Sequence, residues 1–187
     1  MQNPVKRKLL NGQKTIGAFL QTLSPVAAEI LAQAGFDWLI VDLEHSPGGF
    51  DNLQAQLQAM NGSGVVPFAR APWNDAVAIK RILDTGVMGV LVPYVNTRAE
   101  AEMAVAACKY PPQGVRGVAG SPRAAGYTRN TMPYLTTANE ETVVMIAVET
   151  REAVENLDEI LQVEGLDLSL IHISEPTRPT RASRMPS

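Results

Sequence analysis

The chain has 187 residues, of which 45% are hydrophobic and 19% are charged, and its formal net charge is −3. This length allows one domain with a sizeable core, and the composition excludes intrinsic disorder. No apolar run approaches the roughly 18 residues of a membrane helix, and the start of the chain lacks a signal peptide's apolar stretch. Cys108 is the single cysteine, which excludes a disulfide framework. We therefore expect a cytoplasmic protein, and the mild acidity argues against a nucleic-acid partner.

Short apolar runs alternate with segments of helical periodicity along the chain. In chain order they predict strand 15–21, helix 26–34, strand 37–43, helix 50–60, strand 65–70, helix 76–84, strand 89–95, helix 99–109, strand 142–148, helix 152–163 and a sixth strand from residue 166. Ser24 followed by Pro25, Asn74 and Thr97 are the predicted helix-capping residues. The connection at residues 113–139 is expected to hold at most one short helix.

Strands that are apolar on both faces and alternate with amphipathic helices indicate parallel βαβ units. Both an open doubly wound sheet and a closed (β/α)₈ barrel use such units. The first strand is not followed by a Gly-x-Gly-x-x-Gly turn, and His45, Arg70 and Glu149 stand where strands end, which is the active-site face of a barrel. The pattern therefore favours the α/β class and a (β/α)₈ TIM barrel. Because a complete barrel needs about 250 residues, we expect it to be truncated after about the start of strand six.

The periodicity disappears from Ser169 onward. Residues 174–181 contain several prolines and no apolar face, which is typical of a disordered tail. Residues 168–178 also resemble the translation of a transposon-end sequencing adapter. We therefore expect a partial barrel at residues 1–168 and a non-native, disordered tail at residues 169–187.

His45 is the only histidine outside this tail, so a site with three histidine ligands is excluded. Neutral imidazole is the commonest general base near neutral pH, and Asp42 or Glu44 could orient its ring. The alternative is a loop histidine that caps a backbone group.

Arg70 emerges from an apolar strand, where a guanidinium is costly to bury unless it meets an anion. It is either a clamp for a carboxylate or developing enolate, or a partner in a structural salt bridge. Glu149 is either a hard-cation ligand or general base, or a first-turn carboxylate that stabilises a helix dipole. Asp84 lies near a helix end and is by its pattern a surface residue. The glycine-rich segment 114–120 could hold an anion, although such segments are common.

Four motifs follow one another between about residue 10 and Asp167. They are residues 34–45 (AGFDWLIVDLEH), 70–75 (RAPWND), 110–117 (YPPQGVRG) and 149–153 (ETREA). In this combination and order they resemble the class II pyruvate aldolases of the HpcH/HpaI family, in the superfamily of the citrate lyase β-subunit. The resemblance implies a (β/α)₈ barrel, typically hexameric, that binds Mg²⁺, Mn²⁺ or Co²⁺ and cleaves 4-hydroxy-2-oxo acids to pyruvate and an aldehyde.

The resemblance also implies a role for four residues. His45 matches the base that acts on the substrate hydroxyl, and Asp84 matches the carboxylate that raises the basicity of this histidine. Arg70 matches the group that stabilises the pyruvate enolate, and Glu149 matches the first protein ligand of the metal. These roles are physically consistent, because a cation and a guanidinium both stabilise an enolate in a dry site.

Two positions depart from the family's pattern. Ala147 stands where the family often has glutamine, and Glu175, inside the suspect tail, stands at the spacing of the second metal ligand, an aspartate. Glu175 is not assigned as a ligand. Three function classes stay open: a metal-dependent aldolase, a non-catalytic truncated fragment of one, and an acyl-CoA lyase of the same superfamily, which the mild acidity disfavours.

Overall fold

Six strands and the helices that connect them make up residues 2–171, the part of the chain that the computed structural model describes. The strands are β1 (Gly17–Leu20), β2 (Trp38–Asp42), β3 (Val66–Arg70), β4 (Gly89–Val92), β5 (Val143–Val148) and β6 (Leu168–Ile171). The helices are α1 (Pro4–Leu10), α2 (Pro25–Ala32), α3 (Phe50–Ala59), α4 (Ala76–Asp84), α5 (Arg98–Cys108), α6 (Thr131–Glu141), α7 (Arg151–Glu155) and α8 (Leu157–Ile160), with a 3₁₀ turn at Arg123–Ala125.

The strands form one parallel sheet in the order β1-β2-β3-β4-β5-β6, curled into a half-barrel. This sequential order is that of a barrel, since a doubly wound sheet reverses its order at a switch point. The predicted α/β class and the six parallel strands are confirmed. Within residues 2–171 the sheet does not close into an eight-stranded barrel.

Most helix starts follow from local side-chain capping. The Ser24 hydroxyl accepts a hydrogen bond from the Ala27 N–H at 3.2 Å, as predicted. Helix α4 has the predicted bounds, but the predicted cap was wrong, because Asp75 rather than Asn74 accepts a hydrogen bond from the Ala78 N–H, at 2.7 Å. Asp75 directly precedes the helix, so its carboxylate reaches the third N–H, whereas the Asn74 amide donates to a carbonyl of α5.

Three features of the helices differ from the sequence prediction. Helix α1 was not predicted, and the connection at 113–139 leads into α6, which has 11 residues. Only Tyr134 and Ala138 of α6 are buried, so its apolar periodicity is too weak to reveal a helix. The single helix predicted at 152–163 is divided at Asn156 into α7 and α8.

The last strand crosses the predicted boundary between barrel and tail at residue 168. In β6, Leu170 pairs with Ala147 and Ile171 pairs with Val148 of β5. Residues 172–187, which include His172, Glu175 and most of the predicted tail, lie outside the described residues.

Alternate side chains of the strands point to two separate apolar layers. The larger layer lies between the sheet and the helices and includes Leu39, Val41 and Ile146. The smaller layer fills the inner face of the half-barrel, where α1 contributes to it; its members include Val5, Ile40, Val66, Phe68, Leu91, Met145 and Ala147. Within residues 2–171, none of the helices is long and apolar enough to cross a membrane.

Candidate active site at the carboxyl ends of the strands

The two-residue period of the strands places three charged side chains on the inner face. Asp42, Arg70 and Glu149 each follow an inner-layer residue by two positions, after Ile40, Phe68 and Ala147 respectively. All three stand at the carboxyl ends of their strands, where barrel enzymes assemble their active sites. The strand pattern therefore brings these three charged groups to one mouth.

Arg70 and Asp42 form a buried, bidentate ion pair. They are directly opposite in the β2–β3 register, and Arg70 Nε and Nη2 lie 2.8 and 2.5 Å from the two carboxylate oxygens. Burial raises the pKa of Asp42, but hydrogen bonds from Arg70, Gln21 and the backbone N–H groups of residues 44 and 45 outweigh it, so the pKa lies well below its ordinary value. The pair keeps both groups charged.

Glu44 links this pair to His45. Its Oε2 lies 3.2 Å from Arg70 Nη1 and 3.8 Å from His45 Nε2, yet within the described residues it accepts no hydrogen bond although it is buried. Burial raises the pKa of Glu44, and the neighbouring carboxylates of Glu149 and Asp42 raise it further. Arg70 and His45 lower this pKa, but the net shift is upward. Of the two carboxylates expected to orient the His45 ring, only Glu44 approaches it, since Asp42 contacts the backbone N–H.

Glu149 lies just beyond β5 and is half-buried. Its Oε2 accepts a hydrogen bond from the backbone N–H of Tyr94 at 3.1 Å. The carboxylate of Glu149 does not cap the following helix. The cap of α7 is Thr150, whose hydroxyl accepts a hydrogen bond from the Ala153 N–H at 3.1 Å. Glu149 instead faces the loop after β4.

The donor chemistry of the mouth fits a hard divalent cation. Glu149 and Glu44, whose Oε2 accepts no hydrogen bond within the described residues, supply carboxylate oxygens, which Mg²⁺ and Mn²⁺ prefer. Among the described residues, however, no three His, Cys, Asp or Glu side chains are grouped as a complete metal site.

Asp84 lies at the other end of the half-barrel. Helix α4 starts beyond Arg70 and runs back about 13 Å, so its last residue, Asp84, reaches the amino-terminal side of the sheet. There its Oδ1 accepts a hydrogen bond at 2.8 Å from Arg116 Nη2. The structure therefore brings His45, Arg70 and Glu149 together but does not bring Asp84 to them within one chain.

Arg116, the partner of Asp84, is a buried residue at this amino-terminal side, and the sequence did not predict the pair. It is 2% exposed, and its guanidinium carbon lies 4.4 Å from the centroid of the Tyr110 ring and 5.7 Å from that of Tyr134. Segment 114–120 is a candidate anion-binding loop because it is rich in glycine. At Gly114 the structure gives a different reason for the glycine. A Cβ there would lie 2.3 Å from the Ala106 carbonyl oxygen, so glycine serves close packing.

Sequence reasoning also missed Tyr94 and the pairing of Arg70 with Asp42 in particular. Tyr94 lay inside the predicted strand 89–95, so no sequence signal marked it, whereas β4 ends earlier, at Val92. The signal for Asp42 was its position at the end of the strand that precedes the strand of Arg70. A parallel α/β half-barrel with charged groups at the carboxyl ends of its strands is the architecture of a barrel enzyme.

The comparisons with known proteins agree with this class. A family model described as HpcH/HpaI aldolase/citrate lyase matches residues 15–173, and the chain belongs to this family. It is 46% identical over 168 residues to a 4-hydroxy-2-oxo-heptane-1,7-dioate aldolase from Escherichia coli and 46% identical to a hydroxypyruvate/pyruvate aldolase from Deinococcus radiodurans. Each alignment covers 89% of this chain, but only 64% and 60% of those relatives, so the chain spans less than two thirds of their length.

A solved structure shows the same architecture. The crystal structure of a family protein from Burkholderia cenocepacia matches with a TM-score of 0.86 at 33% identity, over 91% of this chain and 68% of the other. The resemblance predicted from the four motifs is thereby confirmed at the level of the family, and its fold is confirmed as far as six parallel strands in a half-barrel.

Proposed function

We propose that the chain belongs to a divalent-metal-dependent aldolase that cleaves 4-hydroxy-2-oxo acids to pyruvate and an aldehyde. The observation that carries this proposal is Arg70, which is buried and fixed by Asp42 and Glu44 beside Glu149 at one mouth. The names of the two relatives support the same reaction class. The proposed ligands are small oxo acids and aldehydes, with no nucleic acid and no membrane.

Arg70 is suited to stabilise an enolate. A guanidinium has five N–H donors, of which two bond Asp42 and one points towards Glu44, leaving two for a substrate oxygen. The buried ion pair fixes the orientation of the group before substrate binds, which is the requirement for electrostatic stabilisation of developing charge. The salt bridge and the enolate clamp, treated as alternatives from the sequence, are compatible roles.

Glu149 is the proposed first protein ligand of Mg²⁺, Mn²⁺ or Co²⁺. When bound, such a cation supplies positive charge to the oxygens of the developing enolate. A non-catalytic fragment of such an enzyme is the second candidate, because no three His, Cys, Asp or Glu side chains are grouped as a metal site within residues 2–171. An acyl-CoA lyase is less favoured, because the chain is mildly acidic and CoA phosphates require positive charge.

His45 is the proposed base. Its side chain is 66% exposed at the mouth, so its ring is accessible to the 4-hydroxyl proton directly or through a water. Removal of that proton turns the hydroxyl oxygen into the aldehyde carbonyl as the C3–C4 bond breaks, and the bonding electrons pass into the pyruvate enolate beside Arg70.

Asp84 can raise the basicity of His45 only from a second copy of the chain, because the two residues lie at opposite ends of one half-barrel. The proposed homo-oligomer, a hexamer by family resemblance, would supply that copy.

The buried Cys108 thiol, 1% exposed, is compatible with the proposed cytoplasmic location.

Exchange of the pyruvate methyl protons tests the enolate chemistry without knowledge of the aldehyde. The full chain, pyruvate and Mg²⁺ are incubated in D₂O, and proton NMR follows loss of the methyl signal. We expect exchange above that of Mg²⁺ alone, lowered about 10²–10³-fold by Arg70→Ala. Arg98→Ala, which removes an exposed guanidinium paired with Glu102, is the matched control and should exchange normally. Exchange at the background rate, or an unaffected Arg70→Ala variant, would overturn the proposal.

A further inference from the structure

Two aromatic side chains stack at the mouth and remain exposed. Trp73 follows β3 and Tyr94 follows β4, and their ring centroids lie 5.6 Å apart with an interplanar angle of 28°. The exposed fractions are 54% for Trp73 and 47% for Tyr94. Neither ring belongs to the apolar core, so packing of the core does not explain why the two rings stack.

The backbone of Tyr94 is held in an unfavourable conformation. Its φ is 57°, in the left-handed region that bulky residues rarely occupy, and such residues cluster at functional sites where the surroundings enforce them. The enforcement comes from both sides. The Tyr94 ring stacks on Trp73, and the next residue, Val95, donates its N–H to the Ala147 carbonyl of β5 at 3.2 Å.

This conformation directs the Tyr94 N–H towards Glu149. The hydrogen bond from this N–H to Oε2 of Glu149 measures 3.1 Å and holds one oxygen of the carboxylate. A second link joins the same loops, because the side chains of Asn96 and Thr150 are hydrogen-bonded. The loop after β4 is thus fastened to the residues on either side of Glu149.

We propose that Tyr94 is a positioning residue for Glu149: its ring, stacked on Trp73, holds the left-handed backbone whose N–H fixes the orientation of this carboxylate, which would hold the cation. The inference rests on the proposed function in that Glu149 is taken as a metal ligand. Partners that hydrogen-bond a ligating carboxylate typically account for 10–100-fold in metal affinity.

The first experiment measures the affinity of the full chain for Mn²⁺ alone, from the electron paramagnetic resonance signal of free Mn²⁺. Tyr94→Ala and Trp73→Ala should each weaken binding about 10–100-fold, whereas Tyr94→Phe, which keeps the ring, should restore it to the original affinity. Tyr127→Ala is the matched control, because Tyr127 is also exposed, at 56%, and also left-handed, with a φ of 53°, but lies outside the mouth. Unchanged Mn²⁺ affinity in both Tyr94→Ala and Trp73→Ala would overturn the inference. If Tyr94→Ala does not fold, the affinity of Trp73→Ala alone tests it.

The second experiment needs no metal and separates this inference from the proposed function. Amide hydrogen exchange by NMR should show a protected Tyr94 N–H that loses protection in Glu149→Ala and in Trp73→Ala. If the original chain does not bind Mn²⁺, the metal site of the proposed function is wrong. The exchange rate of the Tyr94 amide still tests whether this N–H is held by the Glu149 carboxylate. A Tyr94 amide that is unprotected, or equally protected without the Glu149 carboxylate, overturns the inference itself.

Discussion

Asp42 shows how one buried carboxylate organises the mouth. It is 0% exposed, bonds Arg70 through both oxygens, and also accepts from Gln21 at 2.8 Å and from the Glu44 N–H at 3.0 Å. Removing one partner of a buried ion pair leaves the other charge uncompensated, which is far more costly than losing an exposed pair. The orientation of Arg70, and with it the proposed enolate site, therefore depends on Asp42.

Asp42→Asn should destabilise the chain by about 3 kcal/mol at neutral pH. The folded-state pKa of Asp42 lies below its ordinary value of 3.8, so its contribution is present above 3.8 and is lost as the pH falls through the folded-state pKa. Urea unfolding between neutral and acidic pH should show the difference from the original chain shrinking below that value. Glu29→Gln, at an exposed position on α2, is the control and should change stability little. A pH-independent difference would argue against the ion pair.

The site was only partly predictable from single residues. His45, Arg70 and Glu149 were identifiable because polar groups at the ends of apolar strands are conspicuous. The choice of Asp42 over Glu44 as the bidentate partner of Arg70 depends on the β2–β3 register, which a sequence pattern does not give. The contact from the Tyr94 N–H was also hidden, because it arises from a backbone conformation rather than from a side-chain type.

Helix capping links the sequence to the loops at the mouth. Thr97 forms a capping box at α5: its hydroxyl accepts from the Glu100 N–H at 3.2 Å, and Glu100 Oε2 accepts from the Thr97 N–H at 3.2 Å. Glu100 Oε2 also accepts a hydrogen bond from the Asn96 N–H at 2.7 Å, so the same carboxylate contacts the loop that carries Tyr94. The start of α5 is thereby tied to the loop of the site.

Thr97→Ala should lower the free energy of unfolding by about 1 kcal/mol, the usual cost of losing such a cap. Thr136→Ala provides the comparison, since Thr136 is exposed within α6 and its hydroxyl bonds only carbonyls of the same helix. Urea denaturation of both variants measures the difference. Equal stability of the two variants would show that the capping box contributes nothing.

Elements were predictable where one local signal dominated. Ser24 with Pro25 marks α2, and the apolar runs mark the strands. Helix α1 carries the same local signal, since Asn3 caps it and Pro4 follows, but it was missed because only Val5 of its seven residues is buried and no apolar periodicity reveals it. Asn3 also donates to the carbonyls of Met88 and Glu141 at 3.0 and 2.9 Å. These contacts, between residues far apart in sequence, fix the place of α1 against the sheet, and a sequence pattern does not give them.

At the scale of the molecule, the two ends of the half-barrel carry different parts of the proposed site. His45, Arg70 and Glu149 lie at the carboxyl ends of the strands, whereas Asp84 pairs with Arg116 at the amino-terminal side. A site that needs all four residues is therefore formed between copies. The Asp84 side chain, 23% exposed, retains access to such a neighbour.

Mixing two impaired variants tests this arrangement. His45→Ala and Asp84→Asn should each lower aldol cleavage, and their mixed oligomers should regain activity at about a quarter of the sites, as random pairing in a symmetric oligomer requires. Cleavage rates before and after co-refolding provide the measurement. No recovery in mixtures whose variants exchange copies would contradict a role for Asp84 between chains.

Chelator-sensitive release of pyruvate by the full chain tests the central claim most directly. The chain is supplied with Mn²⁺ and 4-hydroxy-2-oxo-heptane-1,7-dioate, the compound in the name of the Escherichia coli relative, or a shorter 4-hydroxy-2-oxo acid, and pyruvate is followed by coupling to lactate dehydrogenase. A metal-dependent aldolase releases pyruvate, stops when EDTA removes the metal, recovers when Mn²⁺ is restored, and is inactivated by Glu149→Gln. No pyruvate from any of these substrates, with the chain folded and Mn²⁺ in excess, would contradict this account and leave the non-catalytic fragment.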